Sequence, residues 1–266
     1  MSTPIVFDLT KPKEKLQFVL EKHNVKQIIP CQVHLAFDVS YSFRDEHAAG
    51  YTQQLLNRIV PFSMLFDKNQ TLDSYVFSDR AEVLDDINLS NFNNYVNSHI
   101  RRSRCYDGGT NYLPIFRMLV ESAGPTEIRT PQPSIQIPVE KKASFFGKMF
   151  GKSDTVETIE QKVPDIISLE QEKHLVFFVT DGEAFDQEEA KEYLDEILKT
   201  LSNPYFVFIS IADREFNFFK DNYKDTTYSN YFNLTSNQLH NLQNSADEDL
   251  YEMIISPSLE QWMMKS

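Results

Sequence analysis

An acid and two hydroxyls alternate in Asp38-Val39-Ser40-Tyr41-Ser42, directly after the mostly apolar run from Gln32 to Phe37. In extended chain, alternate residues face one side, so one carboxylate and two hydroxyls can act together. A further hydroxyl follows a Gly-Gly turn in Asp107-Gly108-Gly109-Thr110. A second carboxylate ends another apolar run, His174 to Thr180, as Thr180-Asp181-Gly182. Asp38, Ser40, Ser42, Thr110 and Asp181 are all hard oxygen donors, a set that suits Mg²⁺ or Mn²⁺. No histidine or cysteine belongs to the set, which disfavours zinc. So few protein ligands leave room for water, a phosphate or a carboxylate from another molecule.

Each piece alone has a plain structural reading. Ser42 and Asp45 have the spacing of a helix capping box. Asp38 and Asp181 can satisfy backbone groups at strand ends. Gly108-Gly109 is an ordinary turn signal, and Thr180-Asp181-Gly182 alone is a weak motif. What makes the set specific is the combination, in this order and on these elements.

The elements that would position them alternate along the chain. Pro12 to Val25 reads as a short amphipathic helix and Gln32 to Phe37 as a strand buried on both faces. One helix is expected over Asp45 to Phe66, where Ala48, Leu55, Ile59 and Phe62 recur at helical spacing. Thr71 to Phe77 and Ala81 to Leu84 read as strands, and Tyr112 to Ser122 as a helix. His174 to Thr180 and Tyr205 to Ile211 are buried strands flanking a charged helix, Asp186 to Leu201. Asp247 to Met264 is expected to be one closing helix. Alternating strands and helices predict an α/β fold, a doubly wound and mainly parallel sheet with helices on both faces. Ligands in such folds sit beyond the carboxyl ends of the strands, where Asp38 and Asp181 fall.

The chain of 266 residues suits one domain: an extension over 1–30, the sheet domain over 31–256 and a tail over 257–266. Within it, 125–172 breaks the pattern. Pro125, Pro131, Pro133, Pro138 and Pro164 are scattered through it without convincing periodicity, which predicts a long flexible insertion. Its centre, 141–152, is basic and aromatic and offers a weak contact for a partner or an anionic membrane. The net charge of −13 argues against nucleic acid. The two cysteines, Cys31 and Cys105, read as reduced buried thiols. No targeting signal and no transmembrane stretch is evident, so a cytoplasmic protein is expected.

Asp-x-Ser-x-Ser, a later Gly-Gly-Thr and an apolar strand running into Thr-Asp-Gly together resemble the von Willebrand factor A (vWA) domain. The wider context is similar to its bacterial tellurium-resistance-associated, copine-like branch. It is carried by Gly50-Tyr51-Thr52-Gln53, Phe66-Asp67, Val76-Phe77-Ser78 and Gly108-Gly109-Thr110-Asn111-Tyr112. The resemblance covers roughly residues 33–256 apart from the insertion. It implies a metal-ion-dependent adhesion site (MIDAS) in which Asp38, Ser40, Ser42 and Thr110 hold the ion directly or through water. Asp181 would act directly or from behind them, and a partner's acidic side chain would complete the coordination. The implied function is non-enzymatic, metal-dependent protein binding, in a bacterial stress response such as tellurium resistance. Tyr41 and Phe43 stand where many members have Gly and Met, so Tyr41 either crowds the metal loop or forms its rim.

Two other readings stand beside it. One is a Mg²⁺-dependent phosphatase-like hydrolase with Asp38 as nucleophile. Such enzymes need a second acid two residues on as proton donor, and this chain has Ser40 there. The other is a vWA scaffold that holds no ion.

Overall fold

The computed structural model describes residues 7–25, 29–124, 126–130, 135–141, 155–161, 166–170, 172–200, 203–241 and 247–264. The chain divides into two compact units, 125–171 and the remainder. The larger unit contains α1 (Thr10–Lys22), β1 (Cys31–Asp38), α2 (Arg44–Ala48), α3 (Tyr51–Phe66), β2 (Asp73–Phe77), β3 (Ala81–Val83), α4 (Tyr95–Ser98) and α5 (Leu113–Ser122). The inserted unit holds β4 (Thr126–Thr130), β5 (Ile135–Lys141), β6 (Thr155–Gln161) and β7 (Ile166–Glu170). The larger unit resumes with β8 (Lys173–Thr180), α6 (Gln187–Thr200), β9 (Pro204–Ile211), α7 (Asn217–Tyr223), β10 (Ser229–Leu234), α8 (Ser236–Asn241), α9 (Asp247–Ile254) and α10 (Pro257–Met264).

Six strands form one sheet in the order β10-β9-β8-β1-β2-β3, parallel throughout except for the edge strand β3. Central strands of a parallel sheet need apolar residues on both faces, and β1, β8 and β9 supply them. Leu35 and Phe37 of β1 enter one core with residues of α1, α3, α9 and α10. Ala36, with Val176 and Phe178 of β8, enters the other with residues of α5, α6 and α7. The mainly parallel α/β sheet expected from the sequence is therefore present.

Two expectations need correction. The helix expected over Asp45 to Phe66 is two helices, because Gly50 takes a left-handed conformation (φ +80°) that no helix can continue through. The closing helix also breaks, at Ser256-Pro257, where proline removes a backbone donor. The insertion stands where the sequence put it and, among its described residues, carries strands. It pairs β4 with β7 and β5 with β6, both antiparallel, in a shared register with Thr126 opposite Glu170 and Ile135 opposite Gln161. Alternation at Ile135, Ile137 and Val139 carried that signal, but Pro138 obscured it. A two-stranded ribbon tolerates proline, because one side of each strand has no partner to receive a hydrogen bond. The basic and aromatic stretch at 141–152 lies, beyond Lys141, outside the described residues.

At the amino ends of the strands a buried histidine pair crosses the sheet. His34 Nδ1 lies 3.1 Å from Asp73 Oδ2, and His34 Nε2 lies 2.9 Å from His174 Nδ1. With Asp73 accepting from His34 Nδ1–H, His34 Nε2 is left to accept from His174 Nδ1–H. Burial, reinforced by His34, holds His174 down to about 4. The unfolded chain takes up this proton near pH 6.5 and the folded chain only near pH 4. Stability is therefore intact above pH 6.5 and falls as pH drops toward 4. By pH 5 the loss is about 2 kcal/mol from this group alone. Urea unfolding of wild type and His174→Gln at pH 7 and pH 5 checks this. A wild-type loss no larger than the variant's would show that His174 does not set the acid limb.

Candidate metal centre

The parallel register fixes the first part of the site. Asp38 stands opposite Phe77, and Phe37 opposite Val179, so the carboxyl ends of β1 and β8 are level. Asp38 is fully buried. Its Oδ1 accepts the Ser40 amide at 2.7 Å and its Oδ2 accepts the Thr180 hydroxyl at 2.6 Å. The chain turns out of β1 through Ser40, whose hydroxyl lies 3.2 Å from that of Ser42. Ser42 in turn donates to Asp181 Oδ1 at 3.1 Å. It makes no capping bond to the helix that follows, so the capping-box reading of Ser42 fails.

Thr110 arrives from a different part of the chain. Ser40 and Gly108 form a bridge in which the Tyr41 amide donates to the Gly108 carbonyl at 3.0 Å and the Asp107 amide to the Val39 carbonyl at 2.9 Å. The Thr110 carbonyl accepts the Phe185 amide at 2.9 Å, which ties this loop to the one after β8. A methyl placed on Gly182 would lie 3.8 Å from Ser42 Oγ and 3.9 Å from Thr110 Oγ1. Both hydroxyls therefore flank the same glycine. Ser40, Ser42, Thr110 and Asp181 meet at one edge, with Asp38 beneath them.

The electrostatics of this edge are those of crowded, buried carboxylates. Burial pushes Asp38 up to about 6, against the hydrogen bonds from Ser40 and Thr180. Burial, then the charges of Asp38 and Glu46, push Asp181 up to about 7, with Ser42 opposing. Glu46 is raised mainly by burial, and its Oε2 is buried without a hydrogen-bond partner. Among the described residues, none of the groups acting on these three carboxylates is a lysine or arginine. Buried like charges are costly unless something positive joins them. A small divalent cation among two carboxylates and three hydroxyls meets that need, and the donors are those that such an ion accepts. Among the described residues, no group of three or more His, Cys, Asp or Glu side chains is placed to hold a metal, so this edge relies on two carboxylates and on hydroxyls.

Several residues that shape the edge escaped the sequence reading. Glu46 stands in the charged first turn of α2 and carries no motif of its own. His47, held down to about 4 chiefly by burial, donates from Nε2 to the Asp38 carbonyl and accepts the Thr52 hydroxyl at Nδ1, both at 2.9 Å. Asp186 accepts the amides of Tyr112 and Leu113, each at 2.8 Å, and so caps α5 from 73 residues away. The Tyr112 hydroxyl donates to the Gly182 carbonyl. Only the missing local cap at the start of α5 could have hinted at Asp186. Phe43 is buried with its ring 4.9 Å from that of His47, whereas the Tyr41 ring points outward. Tyr41 is thus rim, and does not crowd the loop.

Gly108 is required by close approach. A methyl there would lie 2.4 Å from Ser78 Oγ, 2.8 Å from Ser78 Cβ and 2.5 Å from Asp79 Oδ1. One on Gly109 would meet only the Phe185 ring, at 3.3 Å. Gly108→Ala is expected to cost about 1–3 kcal/mol and Gly109→Ala much less, since the exposed ring can turn. Equal urea midpoints for the two variants would refute the close-approach argument.

Over residues 30–266 the chain matches the family model described as vWA-TerF-like, the vWA domain found in the TerF C terminus. The chain belongs to this vWA-TerF-like family. The tellurium-resistance-associated vWA branch suggested by the motifs is thereby the right one. An uncharacterised protein of Bacillus subtilis, YcbR, is 28% identical over 103 residues, covering 38% of this chain and 42% of its own. Among solved structures, proximal thread matrix protein 1 of the mussel byssus is similar to 86% of this chain at 12% identity, with a TM-score of 0.48. The same mussel protein with a zinc-occupied MIDAS motif is 13% identical, with a TM-score of 0.49. This vWA-TerF-like chain spans about half the length of these relatives.

Proposed function

We propose that this vWA-TerF-like chain is a metal-dependent protein-binding module. In this reading Asp38, Ser40, Ser42, Thr110 and Asp181 hold Mg²⁺ or Mn²⁺, directly or through water. The observation that carries it is the chain of contacts from Ser40 through Ser42 to Asp181, assembled from two distant segments around buried and uncompensated carboxylates. The bound ion supplies a Lewis-acidic position that an acidic side chain of a partner protein can complete. Ser40, Ser42 and Thr110 contribute neutral oxygens, so the ion keeps enough positive character to attract that carboxylate. The family suggests a bacterial, cytoplasmic setting and a stress response of the tellurium-resistance kind.

Hydrolysis is the weaker reading. A nucleophilic aspartate must present a free oxygen to its substrate, yet Asp38 is fully buried and both its oxygens accept hydrogen bonds. The position two residues on holds a serine whose hydroxyl faces Ser42. Phosphate release from p-nitrophenyl phosphate with Mg²⁺, lost in Asp38→Asn, would overturn the binding-module reading. The direct test is thermal unfolding after chelation and again with Mg²⁺, Mn²⁺ or Zn²⁺. A rise with one of these ions supports the site, and no rise with any of them favours a scaffold without an ion.

A further inference from the structure

Two of the six large apolar side chains exposed among the described residues stand at the proposed metal edge. Tyr41, 68% exposed, lies between Ser40 and Ser42, and Phe185, 88% exposed, lies over Gly109. Neither is a loose end. The Tyr41 ring is covered on one side by the Arg44 guanidinium at 5.1 Å, and Arg44 pairs with Asp107 at 3.3 Å. The Tyr41 amide is bonded to Gly108 and that of Phe185 to Thr110. Two aromatic rings are thus held in water beside the proposed ligands, in a chain whose other aromatics mostly fill the core. Rings placed this way are typical of contact surfaces, where they give large area at little entropic cost.

The charge beside them runs against that of the whole protein. The chain carries −13, yet the segment leading into the Gly-Gly turn is Arg101-Arg102-Ser103-Arg104, with all three arginines exposed. Arg80 is exposed as well, and its guanidinium bonds the Arg104 carbonyl at 2.6 Å, which fastens this segment to the β2–β3 turn. The charge of Arg101 bears on His47, the residue bonded to the Asp38 carbonyl. The Arg104 amide donates to Glu82 Oε2 at 2.8 Å, but the guanidinium groups of Arg102 and Arg104 take no carboxylate partner among the described residues. Arginine forks are suited to carboxylates.

We infer that this edge recognises a segment of another protein in which the ion-binding acid adjoins an aromatic or branched aliphatic residue and is followed by further acids. This rests on the metal-dependent reading and adds who the partner is. The apolar residue would sit between Tyr41 and Phe185, and the extra acids would lie along Arg101, Arg102 and Arg104. Long-range repulsion from the acidic chain would penalise a partner lacking that alignment.

The test uses the full chain and begins with Mg²⁺ and Mn²⁺ titration calorimetry. Wild type, Tyr41→Ser with Phe185→Ser, and Arg101→Ser with Arg102→Ser and Arg104→Ser are each titrated, so that later comparisons are made between ion-loaded proteins. Random dodecapeptides displayed on phage are then selected on wild type with the ion and eluted by chelator. The recovered peptides are expected to carry the acid–apolar–acid pattern. A synthetic consensus peptide should bind the aromatic variant at least ten-fold more weakly and the arginine variant at least five-fold more weakly. The arginine gap should shrink at high salt. Peptides without the pattern, equal binding to the variants, or no chelator-eluted peptides from an ion-loaded protein would each overturn this inference alone. No ion binding by wild type would bring down the metal reading and this inference with it.

Discussion

Asp38→Ala is expected to abolish the rise in melting temperature that Mg²⁺ or Mn²⁺ gives the wild-type chain, while leaving the fold formed. An ion at a hundredfold its dissociation constant stabilises the folded state by about 2.7 kcal/mol. In a unit of this size that is a shift of roughly 5–10 °C. The aspartate sits beneath the site, and two of its neighbours depend on it: Ser40 through its amide and Thr180 through its hydroxyl. Removing the carboxylate takes away one of the negative charges that would face the ion and frees the turn that presents Ser40 and Ser42. In the metal-free chain the same substitution also relieves repulsion, because Asp38 raises Asp181. The chelated variant should therefore melt no more than a few degrees below chelated wild type. Scanning calorimetry of both proteins, chelated and ion-loaded, separates the cases. A variant that still gains stability from the ion would place the ion elsewhere, and one that is unfolded when chelated would make Asp38 chiefly structural.

The parts of this site that could be seen in the sequence are those that lie on strongly patterned elements. Runs such as His174 to Thr180 admit few interpretations, and an acid at the end of each of two such strands falls at one sheet edge once the strands are parallel. That placed Asp38 and Asp181 together; Ser40 and Ser42 do meet there, but through a 3-10 turn at Tyr41–Phe43 and not through the extended alternation expected. Thr110 needed the Gly-Gly turn, but the reason for the first glycine, the approach of Ser78 and Asp79, exists only in three dimensions. Glu46, His47 and Asp186 had no signal of their own: His47 and Asp186 bond backbone groups of other segments, and Glu46 acts through its charge on Asp181.

Elsewhere the misses have equally local causes. β10, Ser229–Leu234, went unnoticed because three of its six residues are Ser or Asn, polarity that an edge strand bearing hydrogen bonds can carry. Ser229 Oγ donates to the Tyr223 carbonyl, and Asn233 Nδ2 to that of Ala212. The break at Gly50 was hidden because apolar spacing ran on across it. Periodicity reports which face is buried, but a single left-handed residue decides where the axis turns.

Phe178→Ala should cost the larger unit about 3–5 kcal/mol, the usual range for emptying a buried phenylalanine site. Phe178 is fully buried on β8 and is the common neighbour of rings from both layers. Phe77 stacks on it at 4.7 Å, while Phe116, Tyr112, Phe208 and Phe219 surround it at 5.3, 5.4, 5.5 and 5.9 Å. These rings come from β2, β9, α5, α7 and the loop before α5, so no single segment can move in to close the cavity. Melting should fall by roughly 6–20 °C, and Phe178→Leu, which keeps most of the volume, should recover the greater part. A fall of less than about 3 °C in the alanine variant would show that the surrounding rings collapse into the space. The position also matters for the site. Phe178 and Thr180 share one face of β8, and Tyr112 packs on Phe178 while its hydroxyl holds the Gly182 carbonyl. The strand that ends in the proposed metal edge is thus anchored, two residues earlier, by rings packed on it from five positions.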